Sequence, residues 1–320
     1  MPPDTLDDHR APPAPPPHLI ARMAEHPAIA RQFTPSADEE RATADGERDD
    51  PIGDARHAPL RGLVHRYPDR VLLMPHMACA AYCRFCFRRD RVGRGDGALS
   101  PAETAAALDY VRDRPEIWEV ILTGGDPLMM APRRLAELVA AIDAIPHVGV
   151  IRIHSRVPVA DPTRVDAALV EALAARDSAV TVVLHCNHPA ELADETLAAC
   201  RRIIGAGIPM LAQTVLLRGV NDDVATLTAL MRALVRNRIK PYYLHHADLA
   251  RGTGHFRTTL AEGQALVRAL RGTLSGLCQP TYVLDIPGGH GKVPVGPCHL
   301  RNDGTIEGLD GTLHPYPSCS

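Results

Sequence analysis

The sequence predicts an α/β protein whose parallel strands form a partly or fully closed β/α barrel, preceded by an N-terminal extension. Short apolar runs alternate with amphipathic stretches of helix length from Val71 onward, and polar or reactive residues follow most of these runs. The abundance of Pro and charged residues in about the first 60 positions indicates an extension outside the main core. A doubly wound open sheet gives the same alternation, so the pattern determines the fold class better than its closure.

The apolar runs and the stretches between them give the elements in order. Seven runs are predicted strands, at 71–74, 119–122, 148–153, 180–184, 209–216, 241–244 and 281–284. Six stretches are predicted helices, at 101–112, 132–144, 163–175, 190–205, 222–237 and 259–275. We expect an extension over 1–65, the barrel over 66–285, and a loop with a short tail over 286–320.

Composition and charge limit the classes of function. With 45% hydrophobic residues among 320, the chain is too apolar to be disordered and long enough for one large core. The net charge of -3 argues against nucleic-acid and membrane partners, which select a basic excess. No apolar run approaches the roughly 20 residues that span a bilayer, and the first residues are acidic where a signal peptide is basic and then apolar. We therefore expect a cytoplasmic protein with a small-molecule partner.

Three of the eight cysteines, Cys79, Cys83 and Cys86, form a C-x3-C-x2-C loop directly after the first predicted strand. Clustered thiols in a chain of this size indicate metal or redox chemistry rather than disulfides. A structural zinc ion would need a fourth ligand, which His76 could supply. An iron-sulfur cubane held by three thiolates leaves one iron open to bind another molecule, which is the property that a catalytic cluster needs.

Two glycine-rich loops follow other predicted strands. TGGDPL, from Thr123 to Leu128, is by itself compatible with an ordinary turn. DIPGGHGK, from Asp285 to Lys292, is not a phosphate-binding P-loop, because Val293 follows the lysine where Ser or Thr is required. A lysine on such a loop suits a Schiff base with an aldehyde cofactor, and the ordinary alternative is a solvated loop lysine.

Several segments together resemble the lysine 2,3-aminomutase family of the radical S-adenosylmethionine superfamily, over about residues 50–294. They are GLVHRYPDRVLL at 62–73, CAAYCRFCFRR at 79–89, TGGDPL at 123–128, LLRGVND at 216–222, PYYLHHADLARGTGHFRT at 241–258 and DIPGGHGK at 285–292. The resemblance implies an isomerase that converts L-lysine to β-lysine by a 1,2-amino shift. It also implies three cofactors: a 4Fe-4S cluster, S-adenosylmethionine as the source of a 5′-deoxyadenosyl radical, and pyridoxal 5′-phosphate.

The resemblance further implies which residues bind the cofactors. The cluster ligands would be Cys79, Cys83 and Cys86, and the contacts to S-adenosylmethionine would come from the loop with Gly124, Gly125 and Asp126. Gln213 and His185 would contact S-adenosylmethionine or line the pocket, or would be buried polar residues with structural partners. Lys292 would be the catalytic lysine that binds pyridoxal phosphate. Arg66 and Arg70 would lie near the cofactor phosphate or the substrate carboxylate, although surface salt bridging is the ordinary role of such residues.

Three residues are predicted to bind the substrate. Arg88 would hold the substrate carboxylate. Asp248 and Asp285 match the positions at which lysine-specific members hold the ε-ammonium group, because two carboxylates balance one desolvated cation. A glutamate-acting enzyme should replace at least one of these acids, since both would repel a side-chain carboxylate. Either aspartate could instead cap a helix or a turn.

The sequence also departs from the longer members of the family. Asp223 stands directly after GVND, where those members have a cysteine of an inter-subunit zinc site, and Cys298 and Cys319 form no cluster. We therefore expect a structural zinc ion to be absent and leave the homo-oligomeric state open. Flavodoxin or ferredoxin is the expected electron donor.

The resemblance leaves alternatives for the cellular role and for the substrate. The compact length is shared by a branch that makes (R)-β-lysine for the modification of elongation factor P. An aminomutase for glutamate, arginine or ornithine is a second alternative, and glutamate is the least compatible with the two aspartates. A different radical enzyme, such as a methyltransferase or dehydrogenase, is a third alternative, in which Lys292 would hold no cofactor. A noncatalytic iron-sulfur or zinc module is an alternative from another class.

Overall fold

The computed structural model describes residues 14–41, 46–89, 91–92, 97–175 and 177–317. The main sheet has nine strands, arranged in the order of the chain: β1 Leu63–Tyr67, β2 Arg70–Leu73, β3 Glu119–Leu122, β4 Val150–Ser155, β5 Ala179–His185, β6 Met210–Leu216, β7 Ile239–His246, β8 Thr281–Asp285 and β9 Lys292–Pro294. Strands β2 to β8 are parallel, whereas β1 and β9 pair antiparallel at the two edges.

The sheet is curled into a partial barrel. Within the described residues β1 and β9 do not pair as strands, so the sheet is not closed by a ladder of hydrogen bonds. The edges nevertheless meet, because the amide of Lys292 in β9 donates a hydrogen bond of 2.6 Å to the hydroxyl of Tyr67 in β1. The prediction of a partial or closed parallel barrel is therefore confirmed in its partial form.

Ten helices accompany the strands in the described part of the chain. They are α1 Pro17–Glu25, α2 Pro27–Phe33, α3 Asp38–Arg41, α4 Pro101–Arg112, α5 Pro132–Asp143, α6 Val157–Ala160, α7 Ala167–Ala172, α8 Asp194–Gly205, α9 Val224–Arg236 and α10 Leu260–Thr273. A separate hairpin, β10 Thr305–Glu307 with β11 Leu313–Pro315, follows the main sheet. No described helix is long and apolar enough to cross a membrane.

The hydrophobic core lies between the convex face of the sheet and the helices. Alternate residues of the strands, such as Ile151 and Ile153 in β4, are fully buried in it together with helix residues such as Leu135. Leu19 and Ile29, from the segment expected to lie outside the main core, are also fully buried there. Helices α1 and α2 are therefore packed into the body of the protein.

Predicted and observed elements differ mainly at helix starts and sheet edges. The helix expected at 163–175 begins only at Ala167, because the side chain of Asp166 accepts a hydrogen bond of 2.8 Å from the amide of Leu169 and caps α7. The helix expected at 190–205 begins at Asp194, after a 3-10 turn over Pro189–Glu191. Strands β1 and β9 were not predicted, since edge strands of five and three residues carry little periodicity.

Candidate active site

The concave face of the sheet carries polar side chains near the carboxyl ends of the parallel strands. The register places His185 of β5 beside Gln213 of β6, and Gln213 beside Tyr243 of β7. Residues opposite each other in neighbouring strands have their side chains on the same face of the sheet, and successive side chains along one strand point to opposite faces. His245, two residues after Tyr243, therefore lies on the same face. This is where barrel enzymes hold their catalytic groups.

The three-cysteine loop follows β2 at this end of the barrel. Burial raises the pKa of Cys79 far above its usual range, and the nearby charges of Asp126 and Cys83 raise it further. Burial raises the pKa of Cys86 to about 11, again with a contribution from Cys83. The thiols thus interact electrostatically, although no three His, Cys, Asp or Glu side chains in the described ranges stand in metal-ligand geometry. The donor set of three neighbouring thiols on one loop fits a cubane cluster with one open iron, whereas it lacks the closed fourth ligand of structural zinc.

The TGGDPL loop packs directly against the segment that leads into the cysteine loop. A Cβ atom on Gly125 would lie 2.2 Å from the carbonyl oxygen of Ala78, and one on Gly124 would lie 2.7 Å from Cβ of Met74. Only glycine allows this approach, and Gly124 also has a φ of +103°. The two loops predicted to hold the cluster and S-adenosylmethionine are therefore in backbone contact.

Asp126 is bound within the protein through its side chain. Its buried carboxylate accepts hydrogen bonds from the amides of Arg156 at 2.6 Å and Val157 at 3.0 Å, and from Leu128 at 3.1 Å. It thereby joins the glycine loop to the start of α6. A direct contact of Asp126 with S-adenosylmethionine stays a prediction, and the observed contacts give its side chain a structural role.

Lys292 opens β9 and projects onto the concave face. Its ammonium group forms an ion pair with Asp285 at the end of β8 and lies 3.3 Å from Nδ1 of His245. It also lies 5.7 Å from the centre of the Tyr243 ring. Burial, followed by the charge of Lys292, lowers the pKa of His245 well below its usual range, so the imidazole is neutral and can accept a hydrogen bond from the lysine.

Asp248 lies close to this ion pair. Burial, followed by repulsion from Asp285, raises the pKa of Asp248 to about 7, while the charges of Lys292 and Arg88 partly offset the rise. Among the described residues, no hydrogen bond or ion pair engages the Asp248 carboxylate. The structure therefore brings together three predicted site residues, Lys292, Asp285 and Asp248.

Two predicted arginines join the same group through an aspartate that sequence reasoning missed. Asp54, buried on the segment before β1, accepts a hydrogen bond of 2.7 Å from Nε of Arg88 and one of 3.2 Å from Arg66. Arg66 also lies 3.7 Å from a carboxylate oxygen of Asp285. The two arginines and three aspartates, with Lys292, form one charged cluster at the mouth of the barrel.

The segment over residues 46–58 lies against the loop that carries Lys292. A Cβ atom on Gly53 would lie 2.7 Å from the backbone of Gly288 and Gly289. Nε2 of His57 lies 2.9 Å from the carbonyl oxygen of Gly289, and the backbone amide of Gly288 donates a hydrogen bond of 3.1 Å to the carbonyl oxygen of Pro51. This packing positions Asp54 and covers the lysine loop.

Arg70 and Gln213 are placed differently from the cluster. Arg70 begins β2, at the opposite end of that strand from the cysteine loop, where it pairs with Asp69 and lies 3.9 Å from the centre of the Tyr67 ring. Gln213 is half-buried and lies beside His185. Burial lowers the pKa of His185 to about 3. Contacts of Gln213 and His185 with S-adenosylmethionine, and of Arg70 with a phosphate, stay predictions.

The missed residues differ in the signals they left. Tyr67 lies within the segment GLVHRYPDRVLL, which resembles the aminomutase family, and Arg156 lies three residues after the predicted strand 148–153, where polar residues at strand ends indicate a site. Asp54 stood in a Pro- and charge-rich region without a motif. Only its contacts in the fold identify it.

Comparison with known proteins is consistent with this geometry. A family model described as the radical SAM superfamily matches residues 74–230. The L-lysine 2,3-aminomutase of Clostridium subterminale is 40% identical over 304 residues, which cover 91% of this chain and 72% of that protein. The glutamate 2,3-aminomutase of Clostridioides difficile is 36% identical over 256 residues, covering 80% of this chain and 60% of that protein.

Among solved structures, Streptococcus suis SuiB bound to S-adenosylmethionine has a TM-score of 0.52 at 16% identity, over 68% of this chain and 51% of that chain. This similarity shows a common fold. The match to the curated lysine enzyme shows the class of enzyme, because aminomutases are isomerases. Membership in the radical SAM superfamily implies a 4Fe-4S cluster and S-adenosylmethionine as cofactors. The chain belongs to the lysine 2,3-aminomutase family of radical S-adenosylmethionine enzymes.

Proposed function

We propose that this enzyme is an L-lysine 2,3-aminomutase that holds pyridoxal phosphate on Lys292. The observation that carries the proposal is the position of Asp248 beside the Lys292–Asp285 ion pair, with a pKa of about 7 and no partner among the described residues. A buried carboxylate in that condition favours a cationic ligand, because a cation stabilises its charged form. The ε-ammonium group of lysine supplies that charge.

Lys292 has the surroundings that a cofactor lysine needs. It belongs to a loop with three glycines of positive φ, Gly288, Gly289 and Gly291, whose backbone can change conformation at low cost. The neutral imidazole of His245 can accept a hydrogen bond from its ammonium group and so orient the side chain. The uncharged amine, formed when Lys292 loses a proton, is the nucleophile toward an aldehyde. Asp285 pairs with the ammonium group of Lys292 and lies close to Asp248, so both carboxylates would face a substrate ammonium group if the Lys292 side chain turned toward the cofactor.

The other charged residues bind and orient. Arg88, fixed by Asp54, presents its remaining guanidinium N–H groups for a carboxylate. Arg66, fixed by the same aspartate, adds positive charge beside Asp285. When bound, the cluster and S-adenosylmethionine supply a hydrogen-abstracting radical, and pyridoxal phosphate supplies a π-system that stabilises the migrating nitrogen. The barrel has to align these groups and exclude water.

The identity of the cofactor lysine can be tested directly, because the chain has two lysines, Lys240 and Lys292. Pyridoxal phosphate is added, the protein is reduced with borohydride, and modified lysines are mapped by mass spectrometry. We expect the label on Lys292 and its loss in Lys292→Ala. Lys240→Ala is the matched control, since the ammonium group of Lys240 donates to the carbonyl oxygens of Leu277 at 2.8 Å and Gln279 at 3.1 Å. A label confined to Lys240 would contradict the assignment.

The reaction is tested anaerobically with the reconstituted enzyme, dithionite and S-adenosylmethionine. L-Lysine and L-glutamate are offered separately, and β-amino acids are separated by chiral chromatography and identified by mass spectrometry. We expect β-lysine from lysine, and no product in Lys292→Ala or Cys83→Ala. Formation of β-glutamate alone would retain the aminomutase and reject the lysine assignment. 5′-Deoxyadenosine without any β-amino acid would reject both substrates.

The electron donor and the compartment are parts of the same proposal. One electron per activation has to come from a low-potential donor, for which a flavodoxin or ferredoxin is suited. Free thiols on Cys79, Cys83 and Cys86 agree with a reducing compartment such as the cytoplasm. A purified flavodoxin system that supports β-lysine formation without dithionite would support this assignment.

A further inference from the structure

Arg156, the residue after β4, reaches the cysteine loop from inside the protein. It is only 8% exposed, and its Nη1 lies 3.0 Å from Sγ of Cys83, the middle cysteine of the loop. Neither Cys79 nor Cys86 has a comparable contact with a guanidinium group among the described residues. The contact thus distinguishes one of three otherwise similar sulfur atoms.

A buried polar network fixes the other half of the guanidinium. Nη2 of Arg156 donates to Oε1 of Gln32 at 2.6 Å and forms an ion pair of 3.1 Å with Glu191, whose side chain is fully buried. The side-chain amide of Gln32 in turn donates a hydrogen bond of 2.6 Å to Oε1 of Glu191. The backbone amide of Asn187 donates one of 3.1 Å to Oε2 of Glu191. Arg156 therefore has little freedom to turn away from Cys83.

Aromatic rings and the backbone restrict the arginine further. Its Cζ lies 4.5 Å from the centre of the Phe33 ring and 5.4 Å from that of Phe85. Its own amide donates to the buried carboxylate of Asp126, which fixes the glycine loop. An N–H···S contact in such a water-poor setting is electrostatically stronger than one at the surface.

The charges of Arg156 and Glu191 balance each other, while Nη1 of the arginine still faces the sulfur atom of Cys83. Glu191 neutralises the guanidinium in the protein alone, so burying the pair does not leave an uncompensated charge. A cluster held by three thiolates brings additional negative charge, and reduction adds one more. The potentials of iron-sulfur clusters are set by net charge, by hydrogen bonds to the sulfur atoms and by solvent exposure.

We propose that Arg156 is a positioning residue that donates a hydrogen bond to the Cys83 thiolate and raises the reduction potential of the cluster. The step it favours is the one-electron reduction of [4Fe-4S]2+ to [4Fe-4S]+, with the electron supplied by dithionite in vitro or by a low-potential flavoprotein or iron-sulfur protein. No bond to Arg156 forms or breaks. Gln32 and Glu191 hold the donor in place.

The test is a redox titration of the reconstituted enzyme without S-adenosylmethionine, in which the reduced cluster is followed by electron paramagnetic resonance. In Arg156→Gln we expect the ratio of reduced to oxidised cluster at a fixed potential to fall about tenfold, which corresponds to a shift of about 59 mV to more negative potential for a one-electron couple. Arg156→Lys, which keeps the charge and loses the forked donor, should show a smaller fall.

The matched control is Arg152→Gln. Arg152 is also a largely buried arginine, paired with Glu119 at 2.8 Å, and it makes no hydrogen bond to any cysteine that the structure describes. Its substitution should leave the midpoint potential at the wild-type value. Iron and sulfide per chain are measured for every variant, so that loss of the cluster is separated from a change in its potential.

A second variant covers the risk that Arg156→Gln leaves Glu191 buried without a partner and fails to fold. The double substitution Arg156→Gln with Glu191→Gln removes both charges, leaves the local net charge unchanged and removes the guanidinium donor, so it should show a negative shift that is smaller than that of Arg156→Gln. A wild-type potential in every variant that retains its cluster would overturn the proposal. So would an unchanged potential combined with weaker binding of S-adenosylmethionine, because Arg156 would then act on that cofactor instead.

Discussion

Arg88 donates its Nε hydrogen to Oδ2 of Asp54 across 2.7 Å, and both side chains are buried. Burial lowers the pKa of Arg88, but the charge and the hydrogen bond of Asp54 raise it by more, so the pKa of Arg88 is raised overall. The aspartate also holds Arg66, so a single carboxylate orients two of the arginines predicted to bind anions. The segment before β1 therefore contributes to the site as directly as the barrel does.

Removal of this carboxylate should destabilise the protein. We expect Asp54→Asn to lower the free energy of unfolding by about 3 kcal/mol, because Arg88 is left buried without a counter-charge. Urea unfolding measures the change. Asp49→Asn is the control: Asp49 pairs with Arg251 at the surface, where both side chains are more than half exposed, and should cost less than about 1 kcal/mol. Equal losses in the two variants would contradict the bridging role of Asp54.

Asp248 should give the activity a dependence on pH. Because its pKa in the folded protein is about 7, the carboxylate is mostly protonated below that pH and mostly charged above it. A lysine ε-ammonium requires the charged form, so kcat/KM for lysine should rise roughly tenfold between about pH 6 and pH 8. The rise should vanish in Asp248→Asn, whose kcat/KM should be low at every pH. A profile of unchanged shape in this variant would assign the titration to another group.

The same raised pKa has a consequence for stability with a definite sign. Between the usual value for an aspartate and about 7, the folded state binds more protons at Asp248 than the unfolded state does. Stability from this group is thus present at acid pH and is lost as the pH rises through about 7. Asp248→Asn should therefore be more stable than wild type at pH 8, and the difference should shrink toward pH 5. Urea unfolding at the two pH values checks both statements.

Gly125 should be intolerant of even a methyl group. In Gly125→Ala the new Cβ would lie 2.2 Å from the carbonyl oxygen of Ala78, so backbone rather than a flexible side chain has to move. We expect a loss of about 1–3 kcal/mol in stability and less iron per chain after reconstitution, since the cysteine loop is displaced. Gly272→Ala is the control: it lies in α10 with no atom within 4 Å of its Cβ position, and should stabilise by about 0.4–1 kcal/mol. Wild-type iron content in Gly125→Ala would show that the loops are not coupled.

The sequence predicts those features of the site that are formed by residues close together in the chain. Three cysteines within eight positions, two glycine loops and a lysine at a strand end can be read from neighbouring residues, and alternating apolar runs predict the parallel strands. Asp54 and Arg156 could not be found in this way. They lie 34 and 73 residues from their partners Arg88 and Cys83, so the contacts exist only once the chain has folded.

Closure of the barrel was beyond the sequence for a related reason. The edge strands are short and antiparallel, and the contacts that bring the edges together in the described residues include the hydrogen bond from the amide of Lys292 to the hydroxyl of Tyr67. Periodicity carries no information about such a contact. The motif also does not indicate what the side chain of Asp126 binds within the protein, which is the backbone amides of Arg156 and Val157.

The hydroxyl of Tyr67 should set how firmly the lysine loop is held. In Tyr67→Phe the amide of Lys292 loses its acceptor at 2.6 Å, whereas the ring under Arg70 is retained. An unsatisfied amide costs roughly 1–3 kcal/mol, so we expect the affinity for pyridoxal phosphate to fall roughly tenfold while the fold is kept. Titration of the cofactor absorbance measures the affinity. Tyr110→Phe, which removes a hydroxyl 3.0 Å from Nδ1 of His65 away from the lysine loop, should bind the cofactor as wild type does. If both variants bind it equally well, the contact between the sheet edges does not control the loop.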